Sequence, residues 1–487
     1  MFSIVRTTAY SMEVEYQMRK VMIFSITVLF LLVSIYPSSA IDMVNKSFNL
    51  LNNSNMLYVG GSGPNNFTKI QDAIHYAYDG DTVFVYDDSS PYYENILVYK
   101  SIILLGENMA TTIIDGNKKG NIIRINTDDV TISGFTLQNS DPDEYGINLE
   151  DIVNKNIIIK NNIIKSNGGG ILVYHSYYNT ISNNYIFNNK DNGIRIGYCG
   201  KNEIINNQIF SNDFHGIGLS DSNSNVIKGN IIYSNKLHGI NLWYSDSNNI
   251  LKNTIYLNEK GLYFFESKRN TVIGNIISNC SYGIYLWYSS DNNILYHNGL
   301  FYNGENAYQK DCSDNKWDND YPSGGNYWDD YDGEDNDGDG IGDTPYIIQS
   351  DGGRDWYPLM EPFINTPPNK PEIDGPIIGR PHLNYDYTFV TNDTDGDDVW
   401  YNICWGDNEI IYSYGPYHSG EEITLSYNWA EKGIYIIYCW AKDTYDEESD
   451  ITSLKVTMPR TKASFFLWHE WLLERFPLLE RLLDNIF

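Results

Sequence analysis

The stretch "NKLHGINLWYSDSNN" at residues 235–249 nearly repeats "NDFHGIGLSDSNSN" at residues 212–225. The phrase recurs along the chain, and its glycines are 22 or 23 residues apart, at Gly170, Gly193, Gly216, Gly239, Gly261 and Gly283. Asparagines keep the same interval, at Asn162, Asn184, Asn207, Asn230, Asn253, Asn275 and Asn298. A fixed period of this length indicates a repeat architecture.

Within one period the apolar residues alternate, which is typical of a strand and not of a helix. In "GINLW", Ile240 and Leu242 should point to one face, and Asn241 and Trp243 to the other. Short strands bury their inner face when successive coils stack about 4.8 Å apart. The sequence therefore predicts a parallel β-helix in which the asparagines lie in turns, adopt left-handed backbone and form a hydrogen-bonded ladder.

The chain of 487 residues has a formal net charge of -30. This acidity disfavours nucleic acid and anionic membrane surfaces as partners. An apolar run of 16 residues follows "MRK" at 18–20, and "PSSA" at 37–40 fits a cleavage site. Residues 1–40 are therefore predicted to be a secretory signal peptide, with an uncleaved membrane anchor as the alternative, and the protein is expected to be secreted or at the cell surface.

The composition divides the rest of the chain into four parts. We expect a parallel β-helix at 57–315, with a helix at 68–77 capped by Thr68 as its lid. An acidic, Gly-rich closing segment follows at 316–364, and a small β-sandwich at 372–458. An amphipathic helix at 462–487 is expected to dock on protein, either its own sandwich or a second copy.

The five cysteines suggest no disulfide framework. Three of them, Cys199, Cys280 and Cys312, fall in different coils. Alternation along the predicted strands places Cys404 outward and Cys439 inward, so we expect no bond between these two.

Several motifs carry a family resemblance. "NNFTKIQDAIHYAYDGDTVFVY" at 65–86, "YYENILVYKSIILLGEN" at 92–108, the repeats, and "WDNDYPSGGNYWDDYDGEDNDGDGIGDTPYII" at 317–348 together resemble the archaeal NosD-like branch of the right-handed parallel β-helix proteins, whose fold is pectate-lyase-like. "DTDGDDVWYNICWGDN" at 393–408 and "KGIYIIYCWAKDTYDEES" at 432–449 are similar to PKD domains, which are Ig-like sandwiches, with Asn408 where that motif usually has Gly. The resemblance implies carbohydrate binding or sugar hydrolysis and, for NosD, copper delivery.

Enzymatic motifs of β-helix polysaccharide enzymes are incomplete. "GIRIGY" at 193–198 and "FHGIGLS" at 214–220 echo polygalacturonases, but Arg195 precedes His215 whereas the family order is the reverse. "DPDEYG" at 141–146 resembles the catalytic motif of alginate epimerases with Asp143 in place of the histidine. Catalysis by a polysaccharide lyase, hydrolase or epimerase therefore stays an alternative.

Two columns of the repeat are candidate binding surfaces. One outward column ends in Trp243, Phe265 and Trp287, and its neighbour ends in Tyr263 and Tyr285. Flat rings on an exposed β face suit sugar rings, although a covered interface is the alternative. The column before the glycines contains His215 and His238 on adjacent coils, with Asp191 and Asp213 nearby, and two neutral imidazoles at that spacing could share copper; turn histidines bonded to backbone or water are the alternative.

A calcium loop is predicted in "DNDGDGIGD" at 335–343. Carboxylates recur at alternate positions, Gly340 allows the sharp turn, and the backbone carbonyl of Ile341 can add a ligand. The ligands are Asp335, Asp337, Asp339, Ile341 and Asp343. Tyr346 replaces the glutamate of an EF-hand, and "DTDGDD" at 393–398 is a weaker candidate for a second ion. A solvated acidic turn is the alternative.

These observations predict a secreted or cell-surface β-helix protein that binds polysaccharide or cell-envelope glycan. The two alternatives are a polysaccharide-modifying enzyme and a copper-handling accessory protein. Calcium is the expected cofactor.

Overall fold

The computed structural model describes residues 55–149, 155–445 and 447–459. The predicted signal peptide at 1–40 and the predicted amphipathic helix at 462–487 lie outside this part of the chain. No helix among the described residues has the length and apolar content needed to cross a bilayer.

Three parallel sheets form the walls of the predicted β-helix. From Ile103–Gly106 to Glu305–Lys310, each coil contributes one short strand to each sheet. The first sheet has eleven strands. They are Met56–Val59, Thr82–Val85, Ile103–Gly106, Thr131–Ser133, Ile158–Lys160, Thr180–Ser182, Glu203–Ile205, Val226–Lys228, Asn249–Leu251, Thr271–Ile273 and Ile294–Tyr296.

The second sheet has ten strands. They are Ile113–Asp115, Thr136–Gln138, Ile163–Lys165, Tyr185–Phe187, Gln208–Phe210, Ile231–Tyr233, Thr254–Tyr256, Ile276–Ser278, Gly299–Phe301 and Tyr327–Trp328.

The third sheet, which carries the candidate site, has eleven strands. They are Ile96–Val98, Ile123–Ile125, Tyr145–Leu149, Gly169–Tyr174, Ile194–Gly197, Ile217–Ser220, His238–Trp243, Lys260–Phe265, Tyr282–Trp287, Glu305–Lys310 and Gln349–Ser350. The second and third sheets therefore continue past residue 315, the end predicted for the β-helix.

Isoleucines stack in the interior, one above the other. In the third sheet, Ile194, Ile217 and Ile240 are paired in register and fully buried. Ile240 and Leu242 point inward and Trp243 outward, as the alternation predicts. Each buried side chain of this size contributes about 1.5–3 kcal/mol, so stacking provides the core that a single coil lacks.

Buried asparagines form hydrogen-bonded ladders at the corners, which confirms the predicted ladder. In the predicted column, Nδ2 of Asn207 donates to Oδ1 of Asn230 at 3.0 Å, and Nδ2 of Asn230 donates to Oδ1 of Asn253 at 2.9 Å. The expected left-handed backbone is not at the ladder residues. It lies one position earlier, at residues such as Asn206 with φ 55°, because the chain must turn before the buried amide enters the stack.

In the turns between the third and first sheets, a further ladder uses hydroxyl and thiol groups instead of amides. The backbone N–H of Ser176 donates to Sγ of Cys199, and that of Cys199 donates to Oγ of Ser222. The first cysteine of the chain is therefore a ladder member. All five cysteines are free.

The position of the recurring glycine has no room for a side chain. A Cβ atom at Gly216 would lie 2.5 Å from Ile232 Cγ2 and 2.7 Å from the carbonyl oxygen of Gly239. The strand backbone of the third sheet thus packs directly against an isoleucine of the second sheet.

Helix α1, Ile70–Tyr76, closes the N-terminal end with Ile70, Ala73 and Ile74 buried. The predicted cap is wrong. Lys69 occupies the cap position without a side-chain hydrogen bond, and the carboxylate of Glu94 accepts the N–H groups of Ile70 and Gln71 at 2.9 Å and 3.0 Å. A carboxylate from the next coil therefore takes the place of a local cap.

The closing segment caps the other end with two buried tryptophans, Trp317 and Trp328. It adds a two-stranded antiparallel sheet of Tyr346–Ile347 and Arg354–Asp355. Asp355, fully buried, ends the main asparagine ladder by accepting the backbone N–H of Asn326 at 2.7 Å and the indole N–H of Trp328 at 2.9 Å.

The C-terminal part is a sandwich of a three-stranded and a four-stranded antiparallel sheet. The first contains Glu372–Asp374, Tyr385–Val390 and Ile423–Tyr427, and the second contains Val399–Cys404, Ile410–Tyr417, Gly433–Lys442 and Thr452–Met458. Cys439 is buried in its core and Cys404 is half-buried, as the alternation predicts.

Candidate functional site

A cleft of about 760 Å³ lies on the outer face of the third sheet. Register pairing aligns its walls as columns of the repeat: Arg195, Gly218, Asn241, Tyr263 and Tyr285 form one, and Ser220, Trp243, Phe265 and Trp287 the next. The cleft forms where a coil with small residues, Gly218 and Ser220, adjoins coils with large ones. At Gly218, a Cβ would lie 3.0 Å from Oδ1 of Asn192, so the amide occupies the space that a side chain would fill.

The predicted aromatic residues form a connected group. Trp243 and Phe265 are stacked with ring centroids 4.2 Å apart and an interplanar angle of 21°, and Phe265 meets Trp287 edge-on at 5.4 Å. Trp243 and Trp287 are 40% and 38% exposed. Both tryptophans, Tyr263 and Tyr285 line the cleft, whereas Phe265 lies between the tryptophans as their support.

His215 and His238 lie in the same cleft and stack with centroids 4.8 Å apart and an angle of 27°. His215 Nδ1 accepts the backbone N–H of His238 at 3.2 Å, and His238 Nδ1 is buried without a hydrogen-bond partner, 3.9 Å from Glu259. Burial lowers the pKa of both imidazoles to about 3, so both rings are neutral at physiological pH.

The stacked arrangement bears on the copper hypothesis. Ring nitrogens bind a metal through lone pairs in the ring plane, and the lone pairs of stacked rings run side by side instead of converging. One shared ion would require a ring to rotate. Copper binding by this pair therefore stays an untested prediction.

Three polar side chains meet at the other end of the cleft, and the sequence did not predict that they lie together. Tyr145 Oη donates to Asp191 Oδ2 at 3.0 Å, and Arg195 lies 3.9 Å from the same carboxylate. Burial raises the pKa of Tyr145 to about 12. Arg195 and Asp191 stood out in the sequence, but only the register of three coils shows that Tyr145 joins them.

Lys260 and Asn192 precede the recurring glycine as the two histidines do, and the sequence did not single them out. Lys260 Nζ lies over the rings of Tyr263 and Tyr285, 5.4 Å from each centroid, and pairs with Glu259 at 2.9 Å. Asn192 is 4% exposed and its Oδ1 has no hydrogen-bond partner. Their position in a column that faces the cleft is the signal that could have identified them.

Two histidines and two tyrosines in or beside the cleft have pKa values shifted far from 7. The two histidines fall to about 3, whereas Tyr145 and Tyr263 rise to about 12, in each case mainly because of burial. Efficient general acid or base catalysis at pH 7 calls for a pKa near 7. None of these four groups therefore has a pKa near 7.

The predicted calcium loop brings three of its carboxylates together. Oxygens of Asp335, Asp337 and Asp339 lie within 4.8 Å of one another, and Gly338 and Gly340 have the positive φ angles that the turn needs. Asp343 turns away and accepts hydrogen bonds from the backbone and side chain of Asn336. Asp337 and Asp339 are exposed. Calcium binding by this loop stays a prediction.

A parallel β-helix with a cleft on one outer face and a C-terminal β-sandwich defines the class of this protein. The family model described as "Right handed beta helix region" matches residues 33–224, and the model described as "Periplasmic copper-binding protein (NosD)" matches residues 186–333. The chain is thus similar to NosD proteins over residues 186–333, within a right-handed parallel β-helix.

Solved structures are also similar to parts of the chain. The PKD domain of an M14-like peptidase from Thermoplasmatales archaeon SCGC AB-540-F20 is 45% identical over 20% of this chain and all of its own length, with a TM-score of 0.20. ORF18 of Geobacillus virus E2 is 13% identical over 88% of this chain and 83% of its own, with a TM-score of 0.47. The A-module of the Azotobacter vinelandii mannuronan C-5 epimerase AlgE6 is 14% identical over 51% of this chain and 95% of its own, with a TM-score of 0.31. No curated protein sequence matches the chain.

Proposed function

We propose that this protein binds polysaccharide or cell-envelope glycan in the cleft on the third sheet. The observation that carries the proposal is the pair of exposed tryptophan rings, Trp243 and Trp287, on one wall of a cleft of about 760 Å³. That volume lies within the usual range of ligand sites, and apolar walls with a few placed polar groups are typical of them.

The polar atoms of the cleft complement this platform. Asn192 Oδ1 and His238 Nδ1 are buried without partners, and a buried polar atom left unpaired costs about 1–3 kcal/mol. Sugar hydroxyl groups can donate to an amide oxygen and to an imidazole nitrogen. A glycan can reach these two atoms when the side chains over them move, so they are secondary to Trp243 and Trp287 in this proposal.

The charges of the cleft do not favour an ion of either sign. Arg195 lies beside Asp191, and Lys260 pairs with Glu259. The two cations and two anions of the cleft thus balance, although the whole chain has a formal net charge of -30. We expect recognition through hydroxyl groups and ring stacking, with a secreted or cell-surface location and the PKD-like sandwich as a spacer or adhesion module.

The test is binding of the full chain to a panel of neutral and uronate polysaccharides by affinity electrophoresis. The Trp243→Ala plus Trp287→Ala variant should bind at least about tenfold more weakly, because aromatic anchors of this kind carry much of the binding energy.

The matched control is Tyr302→Ala plus Trp356→Ala, which removes two rings that are 66% and 53% exposed outside the cleft. The control should bind like the wild type. Equal binding by the wild type and the cleft variant would refute the proposal, and new reducing ends or unsaturated products would favour the enzyme alternative.

A further inference from the structure

Acidic side chains gather where the linker at 365–371, the sandwich and the β-helix meet. Carboxylate oxygens of Asp393, Asp395 and Asp397 lie within 4.8 Å of one another. The linker adds Asn365, whose side-chain amide donates to Asp443 at 2.7 Å. Asp443 is only 1% exposed. The backbone N–H of Thr366, the residue after Asn365, donates to Asp395 at 2.6 Å, so the linker and the acidic turn meet.

Several oxygens in this volume have no hydrogen-bond partner. Asp393 is 5% exposed, and its Oδ1 accepts the backbone N–H groups of Asp395 and Asp397 at 2.9 Å and 3.3 Å. Its Oδ2 is left unpaired, as are Asp397 Oδ2 and Asn365 Oδ1, all three buried from solvent. Leaving a buried charged oxygen unpaired is costly, so the cluster calls for a positive partner.

The exposed loop at 335–343 is different. Its Asp335 spends both oxygens on backbone N–H groups, Oδ1 on Gly338 and Oδ2 on Gly340, and the side chains of Asp337 and Asp339 reach solvent. Water can satisfy those carboxylates. Water has little access to the oxygens around Asp393.

Carboxylates together with an amide oxygen are the ligand set that Ca²⁺ prefers, whereas Mg²⁺ usually keeps several of its own waters. We propose that Asn365, Asp393, Asp395 and Asp397 bind Ca²⁺, and that the ion holds the sandwich in its docked position on the β-helix. Asp443 is a positioning residue, since it holds Asn365 by a hydrogen bond.

Asp443 links the ion site to the docking contacts. Its Oδ1 accepts the backbone N–H groups of Tyr445 and Glu447 at 2.7 Å and 2.8 Å. Tyr445 Oη is hydrogen-bonded to Nδ1 of His297 of the β-helix, and Glu447 pairs with Lys252 at 2.7 Å.

The end of the closing segment, just before the linker, also contacts the β-helix. Phe363, two residues before Asn365, stacks on the ring of His297 with centroids 3.8 Å apart. An ion that holds Asn365 in place therefore also holds the segment that packs on the β-helix.

The experiment uses the full chain, stripped with EDTA and titrated with CaCl₂ by isothermal titration calorimetry. The Asp393→Asn plus Asp397→Asn variant should bind calcium at this site at least about tenfold more weakly, because two charged ligands are lost. The control variant Asp337→Asn plus Asp339→Asn changes the same number of charges in the exposed loop and should retain the site. Equal isotherms for the wild type and the first variant, or equal affinity of the wild type for MgCl₂, would overturn the assignment.

Amide hydrogen exchange tests the docking without any variant. Calcium added to the EDTA-treated wild type should slow exchange in residues 363–366 and 443–445 and around His297. Unchanged exchange at these positions despite calcium binding would refute the coupling to docking. The exchange of the first variant should not respond to calcium, and its thermal melt in EDTA, at or above that of the wild type, would show that it is folded.

Discussion

At the scale of single residues, Asn230 uses every hydrogen-bonding atom of its side chain. Its Oδ1 accepts the backbone and side-chain N–H groups of Asn207, at 2.9 Å and 3.0 Å. Its Nδ2 donates to Asn253 Oδ1 at 2.9 Å and to the carbonyl of Ile204 at 2.8 Å. Aspartate lacks the donor and glutamine has an extra methylene, so the position requires asparagine.

We predict that Asn230→Asp lowers the free energy of unfolding by about 3 kcal/mol, because the new carboxylate loses two donated hydrogen bonds and faces Asn253 Oδ1. Urea denaturation followed by circular dichroism measures the change. Asn206→Asp is the matched control, since Asn206 is exposed in the turn next to the ladder, and it should change stability by less than about 0.5 kcal/mol. Equal losses for the two variants would show that the ladder does not carry this energy.

At the scale of elements, the strands and corners of a coil were largely predictable. The spacing of glycines and asparagines located the coils, and alternation told which side chains are buried. The cap of helix α1 was not predictable, because Glu94 lies on the next coil, 24 residues from Ile70. The end of the ladder was not predictable either, since Asp355 interrupts the period and reaches Asn326 from 29 residues away.

Asp355 should make stability depend on pH. Burial raises its pKa to about 7, above the ordinary value of 3.8. The folded state therefore holds a proton between about pH 4 and pH 7 that the unfolded state releases, so this contribution to stability is complete below about pH 4 and declines as the pH rises to about 7.

The measurement is urea denaturation of the wild type and of Asp355→Asn from pH 4 to pH 8. The variant cannot ionise at this position, so its stability relative to the wild type should increase through this window and level off above it. Parallel pH profiles for the two proteins would rule out a shifted pKa at Asp355.

At the scale of the whole molecule, the candidate site could be predicted only in part from the sequence. The aromatic and histidine columns were visible because a period of 22 or 23 residues assigns each side chain to a face. The bond between Tyr145 and Asp191 joins residues 46 apart, and the position of the hydroxyl depends on packing across coils. Docking of the sandwich could not be predicted from the repeat, because Tyr445 contacts His297 from 148 residues away, outside the repeated part of the chain.

The repeat also predicts that the β-helix tolerates loss of one whole coil. Deleting residues 207–229 removes 23 residues and places Asn230 where Asn207 stood, so that Asn184 can donate to it and all sheets keep their register. We expect this variant to fold and to melt cooperatively at a somewhat lower temperature. It should bind glycan more weakly than the wild type, because His215, Gly218 and Ser220 leave the cleft whereas Trp243 and Trp287 remain.

Deleting residues 212–229 is the matched control, because it removes fewer residues and breaks the period, so that the isoleucine stacks no longer align. This control should aggregate or lose its β-sheet circular dichroism. Calorimetry and circular dichroism compare the two deletions, and affinity electrophoresis reports binding. An unfolded in-register deletion beside a folded control would contradict the modular coil. A folded in-register deletion that binds glycan as tightly as the wild type would show that His215, Gly218 and Ser220 do not contribute to binding.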